Sequence, residues 1–150
     1  LPARVGKPAI LPLEIADALN IQPKEIYKAR DFLLVYQSQS EIEALEITRS
    51  TFDQINIDPG GVIVTAAGKD SDFVSRFFTP QASILEDPVT GSSHCTLIPY
   101  WSKKLQKKLL SAKQLSKRGG EIGCIYKGSR VQINGAAFTF SKTILNTDPY

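Results

Sequence analysis

The chain has 150 residues, of which 42% are hydrophobic and 22% charged, and its formal net charge is +3. This is the composition of a folded domain with one hydrophobic core, and it excludes disordered and fibrous proteins. No apolar run approaches the ~18 residues of a membrane span, and the first residues lack the features of a signal peptide. We therefore expect a cytoplasmic domain with no membrane partner. Because two cysteines are too few for a disulfide framework, their thiols are expected to be buried or idle.

The first quarter of the chain combines proline-marked segments with one apolar run. Residues 1–11 predict an extended segment, or a hinge from a preceding domain. Apolar residues at near-helical spacing predict a helix over residues 12–20 that Asn20 can end, and a short second helix is expected after Pro23. The apolar run within residues 30–38 has the length of a strand and predicts a buried one.

The next segments predict a short helix, a turn and two strands. Ser40 followed by Glu43 resembles a capping box and favours a helix over residues 41–47. Pro59 and two glycines mark a turn over residues 58–61. Two runs of β-branched and aromatic residues predict strands at 62–65 and 73–78.

The second half predicts one long helix and an antiparallel meander. The helix begins near Ser92 and continues towards Leu105, and Pro99 should kink it or split it at Ile98. From Ser111 onward the apolar period is two. Turn or bulge signals punctuate it at 119–120, 128–129 and 134–135. The predicted class is therefore α/β of the α+β kind, with a mixed, mostly antiparallel sheet wrapped around a central helix.

The stretch Glu-Asp-Pro-Val-Thr-Gly-Ser-Ser-His-Cys, residues 86–95, is the most informative for chemistry. Its proline forces a turn, after which a helix opens. The N–H groups of Gly91, Ser92 and Ser93 then lack intrahelical partners and favour an anion, with Asp87 just outside. The same residues also fit a proline turn with a Thr or Ser N-cap of no functional consequence.

Other polar residues are weaker candidates. Arg76 lies on a predicted strand and can reach a substrate carboxylate or merely cap the sheet edge. His94 is the lone histidine, and without a carboxylate or second ligand nearby it is expected to be a packed, satisfied side chain. No cysteine or histidine spacing predicts a metal site.

The segment 103–118 carries seven of the 18 Lys and Arg residues and no acid. A nucleic-acid patch would show as steep salt dependence of DNA binding. The spacing instead indicates the solvated face of a helix, opposite Leu105 and Leu109, so no nucleic-acid partner is expected.

Residues 86–95 closely match the Glu-Asp-Pro-x-Thr-Gly-Ser-x-His-Cys signature of the PhzF family of phenazine-biosynthesis-like proteins, relatives of diaminopimelate epimerase. The resemblance extends through 62–67, 72–80, 99–101 and 114–120 and covers nearly the whole chain. It implies the C-terminal half of a two-domain fold, with residues 1–11 as the lead-in from a missing N-terminal half and 12–150 as the domain. A homodimer is left open.

The resemblance also implies a function, which is cofactor-independent isomerisation of a small carboxylated metabolite by proton transfer. Asp87 and Ser92 would be catalytic, and Thr90, Gly91 and Ser92 would bind the substrate. The family's catalytic Glu and His belong to the absent half, so the isolated chain is expected to be inactive. The alternative is a non-catalytic module that binds a small anion or metabolite.

Overall fold

The computed structural model describes residues 1–57 and 60–144 and is built on one eight-stranded sheet whose strands follow the order of the chain. The strands are β1 (Lys7–Pro8), β2 (Glu25–Lys28), β3 (Phe32–Val35), β4 (Val62–Ala67), β5 (Phe73–Phe78), β6 (Leu109–Gln114), β7 (Gly120–Tyr126) and β8 (Val131–Asn134). Only the β3–β4 and β5–β6 pairs are parallel, and the other five pairings in the described residues are antiparallel. The predicted α+β class with a mostly antiparallel sheet is confirmed.

The helices occupy the two crossovers that parallel strand pairs require and one further position near the N-terminus. They are α1 (Leu13–Ala16), α2 (Gln39–Glu43), α3 (Arg49–Phe52) and α4 (His94–Leu105). The second and third connect β3 to β4, and α4 connects β5 to β6. Among the described residues, no helix is both long and apolar enough to cross a bilayer.

Each face of the sheet is buried against a different set of helices. In β3, Phe32 and Leu34 point to the core that contains α1, α2 and α3, whereas Leu33 and Val35 point to the core that contains α4. All four residues of β3 are buried, so the predicted buried strand is confirmed. A strand that is covered on both faces has no solvent-facing side, and its sequence is therefore a continuous apolar run. The sheet therefore wraps around α4 with its other face closed by the short helices.

Helix α4 is continuous through Pro99, so the predicted split at Ile98 is wrong. Proline cannot donate to the carbonyl of Cys95 four residues earlier. That carbonyl instead accepts the backbone N–H of Arg4 at 2.7 Å. The segment before α1 therefore contacts α4 through Arg4 and joins the sheet through β1, whereas the extended entry predicted for residues 1–11 stays a prediction. Their role as a hinge stays a prediction.

Three other predicted helical features are displaced. The prediction of a helix after Pro23 is wrong, because residues 25–28 form the strand β2, which pairs with β1 and β3. The helix over 12–20 is reduced to α1. Asn20 does not end that helix but bonds the backbone of Ala44 and Glu46.

Helix α2 begins two residues before the helix predicted over 41–47 and ends at Glu43, so the predicted helical part over 44–47 is wrong. Ser38, not Ser40, is the N-cap of α2, and its hydroxyl accepts the N–H of Glu41. Helix α3 was not predicted. Within the turn predicted over 58–61, residues 58 and 59 lie outside the described residues.

The strands β4 and β5 confirm the two strands predicted at 62–65 and 73–78, and β6–β8 confirm the predicted antiparallel meander. The basic segment, however, is not one helical face. The chain leaves α4 at Gln106, whose φ of 56° is left-handed, and the following lysines belong to a connection and to β6. Three lysines of the basic segment pair with acids: Lys104 of α4 with Glu25, Lys107 with Asp72 and Lys113 with Glu121.

Candidate active site

The loop between β5 and α4 is held against the sheet before it turns into the helix. Glu86 forms a bridge with Phe78, and the N–H of Asp87 donates to the carbonyl of Phe77 at 3.0 Å. Ser116 then donates its hydroxyl to the carbonyl of Pro88 at 2.6 Å. The loop is therefore fixed at both its entrance and its turn, which is what a site that must hold a geometry requires.

Asp87 belongs to a small network with Thr90 and Gln114. The Thr90 hydroxyl donates to Oδ2 of Asp87 at 2.7 Å. The buried Gln114 accepts the N–H of Thr90 at 2.8 Å and donates Nε2 to the carbonyl of Asp87 at 2.8 Å. Thr90 thus orients the carboxylate, whereas its own substrate-binding role stays a prediction.

Gln114 was missed as a site residue, although the sequence carries a signal for it. In β6 the inward positions are Leu110, Ala112 and Gln114, so the third is an amide at a core position. A buried amide needs partners for its donors and acceptor, and here the loop supplies them. A polar residue in the apolar register of a strand is therefore a useful indicator of a supporting residue.

The start of α4 presents open backbone donors. In residues 1–57 and 60–144, the N–H groups of Gly91, Ser92 and Ser93 have no hydrogen-bond acceptor. The first helical N–H groups, from His94 onward, bond back into this turn. The positive end of the helix dipole adds to these donors, so the turn can hold an anion.

Ser92 has a charged neighbour that sequence reasoning did not identify. Arg30 donates Nη2 to Oγ of Ser92 at 3.0 Å and pairs with the adjacent Asp31 at 3.0 Å. The only sequence signal is that an Arg-Asp pair directly precedes the apolar β3. Because 62 positions separate Arg30 from Ser92, no local pattern predicts the contact.

His94 is fully buried at the first position of α4. Its Nδ1 lies 2.8 Å from the carbonyl of Thr90, so this nitrogen carries the proton in the neutral ring. Its Nε2 has no hydrogen-bond partner in the part of the chain that the structure describes. Burial lowers the pKa of His94 below its usual 6.5. The expected packed histidine is found, but only one of its two nitrogens is satisfied.

A cleft of about 870 Å³ opens beside Thr90 and Gly91, with residues 118–122 and 133–136 as its other walls. The chain comes very close at Gly120, where an added Cβ would lie 2.5 Å from a Val89 methyl carbon. Glycine is thus required for this wall to approach the loop. A small metabolite fits a volume of this size.

Arg76 is occupied by structural contacts. It donates Nε and Nη2 to the two carboxylate oxygens of Glu86, at 2.7 and 3.0 Å. Its Nη1 donates to the carbonyls of Ile42 and Leu45 near the end of α2. These contacts favour the capping alternative over contact with a substrate, which stays a prediction.

The remaining groups that could take part in chemistry are metal-ligating side chains and thiols. They contain no group of three His, Cys, Asp or Glu side chains that could hold a metal ion. Cys95 and Cys124 are free and buried, as expected, and burial raises the pKa of Cys124 to about 12.

These features define a class of protein: an α+β domain whose sheet wraps one helix and whose helix start combines open donors with an oriented carboxylate. The profile of the PhzC-PhzF family, phenazine biosynthesis-like protein, matches residues 8–143. The chain belongs to this family, and the predicted resemblance is confirmed.

Individual relatives agree with the family profile over nearly the whole chain. An uncharacterized isomerase of Pseudomonas aeruginosa is 45% identical over 137 residues, which are 91% of this chain and 50% of that protein. A PhzC/PhzF protein of Clostridium difficile has a TM-score of 0.86 at 38% identity, covering 98% of this chain and 56% of that one. A PhzF-family protein of Enterococcus faecalis has a TM-score of 0.85 at 40% identity, covering 93% and 54%. The chain thus spans about half the length of the relatives it matches.

Proposed function

We propose that this chain is the C-terminal half of an isomerase that moves a proton on a small carboxylated metabolite without a cofactor. Relatives in Pseudomonas aeruginosa and Halalkalibacterium halodurans are named uncharacterized isomerases, and the chain spans 50% and 52% of them. The observation that carries the proposal is the pairing, on one fixed loop, of open N–H donors at the start of α4 with the oriented carboxylate of Asp87. That pairing suits a reaction that develops negative charge while a proton moves.

In this proposal the residues of the loop have separate roles. The N–H groups of Gly91 and Ser92 and the hydroxyl of Ser92 hold the substrate carboxylate or an enolate-like oxygen. Thr90 keeps the carboxylate of Asp87 in place, and Asp87 assists the proton transfer by hydrogen bonding. The catalytic base comes from an N-terminal half across the cleft beside Gly91, so the isolated chain is inactive.

The test is hydrogen exchange into candidate substrates. The chain is joined to the N-terminal half of the Pseudomonas aeruginosa relative and incubated in deuterated water with a panel of small carboxylic acids that have an acidic C–H. Proton NMR follows loss of the C–H signal. Asp87→Asn should slow exchange by about 10²-fold or more with the fold intact, and Ser92→Ala should slow it less.

A matched control keeps this test specific. Lys69→Gln removes an exposed charge that pairs with Glu43 of α2, and this variant should exchange at the parental rate. If Asp87→Asn also exchanged at that rate while His94→Ala abolished exchange in a folded protein, the assignment of roles in the loop would be wrong.

The second candidate is a module that binds a small anion or metabolite without chemistry. The observation in its favour is that the open donors lie entirely within this chain, whereas the proposed base does not. It predicts binding of carboxylates at the start of α4 but no exchange with any acid in the panel, even in the joined protein.

A further inference from the structure

The side chain of Arg30 connects the candidate site to a buried carboxylate. Its Nε lies 3.1 and 3.2 Å from the two carboxylate oxygens of Asp31, and its Nη2 lies 3.0 Å from Oδ2. The same Nη2 donates to Oγ of Ser92 at 3.0 Å. The guanidinium therefore stands between a fixed anion and a hydroxyl at the start of α4.

Asp31 is itself held by the backbone of the sheet. Its side chain is 0% exposed, and its Oδ1 accepts the N–H of Gly61 at 3.0 Å. A Cβ at Gly61 would lie 2.4 Å from the Phe77 ring, so glycine lets the backbone that donates to Asp31 pack closely against this ring. Since Asp31 is anchored in this way, the side chain of Arg30 is pre-organised although it remains 31% exposed.

The contact fixes the role of the Ser92 hydroxyl. A guanidinium has donors and no acceptor, so Oγ of Ser92 must be the acceptor in this bond. The hydroxyl hydrogen of Ser92 is then free to donate. In the part of the chain that the structure describes, that hydrogen has no acceptor. It is available to a ligand that also reaches the open N–H groups of Gly91 and Ser93.

The charge of Arg30 has a second consequence. Helix-start N–H groups and a hydroxyl bind a neutral carbonyl as well as a carboxylate, since both are acceptors. Asp31 offsets part of the charge of Arg30, but the partly exposed guanidinium still presents positive charge beside these donors, which strengthens hydrogen bonds to an ionised acceptor more than to a neutral one. Arg30 thus acts on the acceptor group of the ligand in two ways, by orienting the Ser92 hydroxyl and by its own charge.

We propose that Arg30 is a positioning residue that holds Ser92 as a hydrogen-bond donor and makes the start of α4 selective for a carboxylate over its neutral amide. This inference rests on the proposed function, because it concerns the ligand group held by the same loop. Arg30 is not a catalytic residue in this account, since it acts through Ser92 and through its charge.

The test uses the 150-residue chain and two small probes, acetate and acetamide. The amide NMR signals of Gly91, Ser92 and Ser93 are followed as each probe is added. We expect acetate to shift these signals more than acetamide. In Arg30→Gln, acetate affinity should fall about tenfold, and the preference for acetate over acetamide should be largely lost.

Two further variants separate positioning from a general structural role. Arg30→Lys keeps the charge but loses the planar fork, so it should retain part of the preference for acetate. If Arg30→Gln does not fold, Arg30→Lys decides the question. A preference for acetate that lies between that of the wild type and that of Ser92→Ala supports the proposal, and full loss of this preference overturns it. Arg49→Gln is the matched control, since Arg49 pairs with Asp53 on the exposed side of α3 and should leave both affinities unchanged.

The outcomes that overturn the proposal are distinct from those that overturn the proposed function. If Arg30→Gln keeps the wild-type preference for acetate while Ser92→Ala loses it, Arg30 has no part in selection but the anion site stands. If Arg30→Gln weakens acetate and acetamide equally, its role is only structural. If acetate leaves the wild-type signals of Gly91, Ser92 and Ser93 unchanged, the anion site fails, and both proposals fail with it.

Discussion

Two arginine–carboxylate pairs in this domain illustrate how similar groups take different roles. Arg76 and Glu86 are 16% and 22% exposed, and the remaining Nη donor group of Arg76 is bound to backbone carbonyls at the end of α2. Arg30 pairs with a carboxylate that is more deeply buried, yet it uses Nη2 to reach a hydroxyl at the open helix start. The first pair closes a gap between a strand and a helix. The second places an N–H donor on Ser92 at the start of α4, where we propose that a ligand binds.

The comparison shows that charge and position on a strand do not by themselves identify a functional arginine. Arg76 lies within the buried strand β5 and Arg30 lies just before the buried strand β3, and both have an acidic partner. What separates them is where their remaining N–H groups go, and that is decided by long-range packing. Breaking each pair should therefore give different results.

The largest expected effect is on stability, from Arg76→Met. The substitution leaves the Glu86 carboxylate and two carbonyls near α2 without their donor, so we expect a loss of about 3 kcal/mol in the free energy of unfolding. Urea denaturation measures it. The acetate-induced shifts at Ser92 should be unchanged. A loss below about 1 kcal/mol, or loss of the acetate response in the folded variant, would contradict the structural role.

His94 extends the comparison, because it lies next to the candidate site, at the first position of α4, but is expected to have a structural role. Its folded-state pKa is lowered by burial, so the unfolded chain takes up a proton first as the pH falls below about 6.5. Stability from this group is complete above pH 6.5 and declines below it, by up to about 1.4 kcal/mol per pH unit until the folded-state pKa is reached.

The measurement is urea denaturation of the wild type and of His94→Asn across this pH range. Asparagine keeps a donor for the Thr90 carbonyl but cannot titrate, so the variant should be less stable at neutral pH and its stability should depend less on pH. Equal pH slopes in the two proteins would show that His94 is not the group responsible.

A smaller effect is expected from Thr90→Val, which nearly preserves shape. It removes the hydroxyl that donates to Asp87 and leaves Gln114 with one fewer partner, so we expect a loss of about 1 kcal/mol in the free energy of unfolding. In the joined protein, proton exchange should slow because the Asp87 carboxylate is no longer held. Unchanged exchange would mean that the loop backbone alone orients Asp87.

Much of the fold was predictable because local patterns and tertiary packing agree. The apolar run of β3, the alternation of β6–β8 and the turn into α4 all belong to that category. The failures arose where distant partners decide the outcome. Pro99 stays inside α4 because Arg4 takes the freed carbonyl, and residues 25–28 form a strand because β1 and β3 pair with them.

The candidate site also has a part that local sequence predicts and a part that depends on distant residues. Residues 86–95 carry their own turn and helix start, so their geometry could be read from the sequence. Their supports could not, because Gln114 and Arg30 come from elements that are distant in the chain. The lone histidine was expected to be satisfied, but burial at the first position of α4 leaves its Nε2 without a partner among the described residues.

The central claim is that the start of α4 holds the carboxylate of a ligand, and a crystal structure of the chain grown with malonate tests it most directly. The account predicts a malonate oxygen about 2.7 to 3.2 Å from the N–H groups of Gly91, Ser92 and Ser93, with the Ser92 hydroxyl donating to it. A protein side chain filling this position in every copy, with malonate bound elsewhere, would contradict the claim.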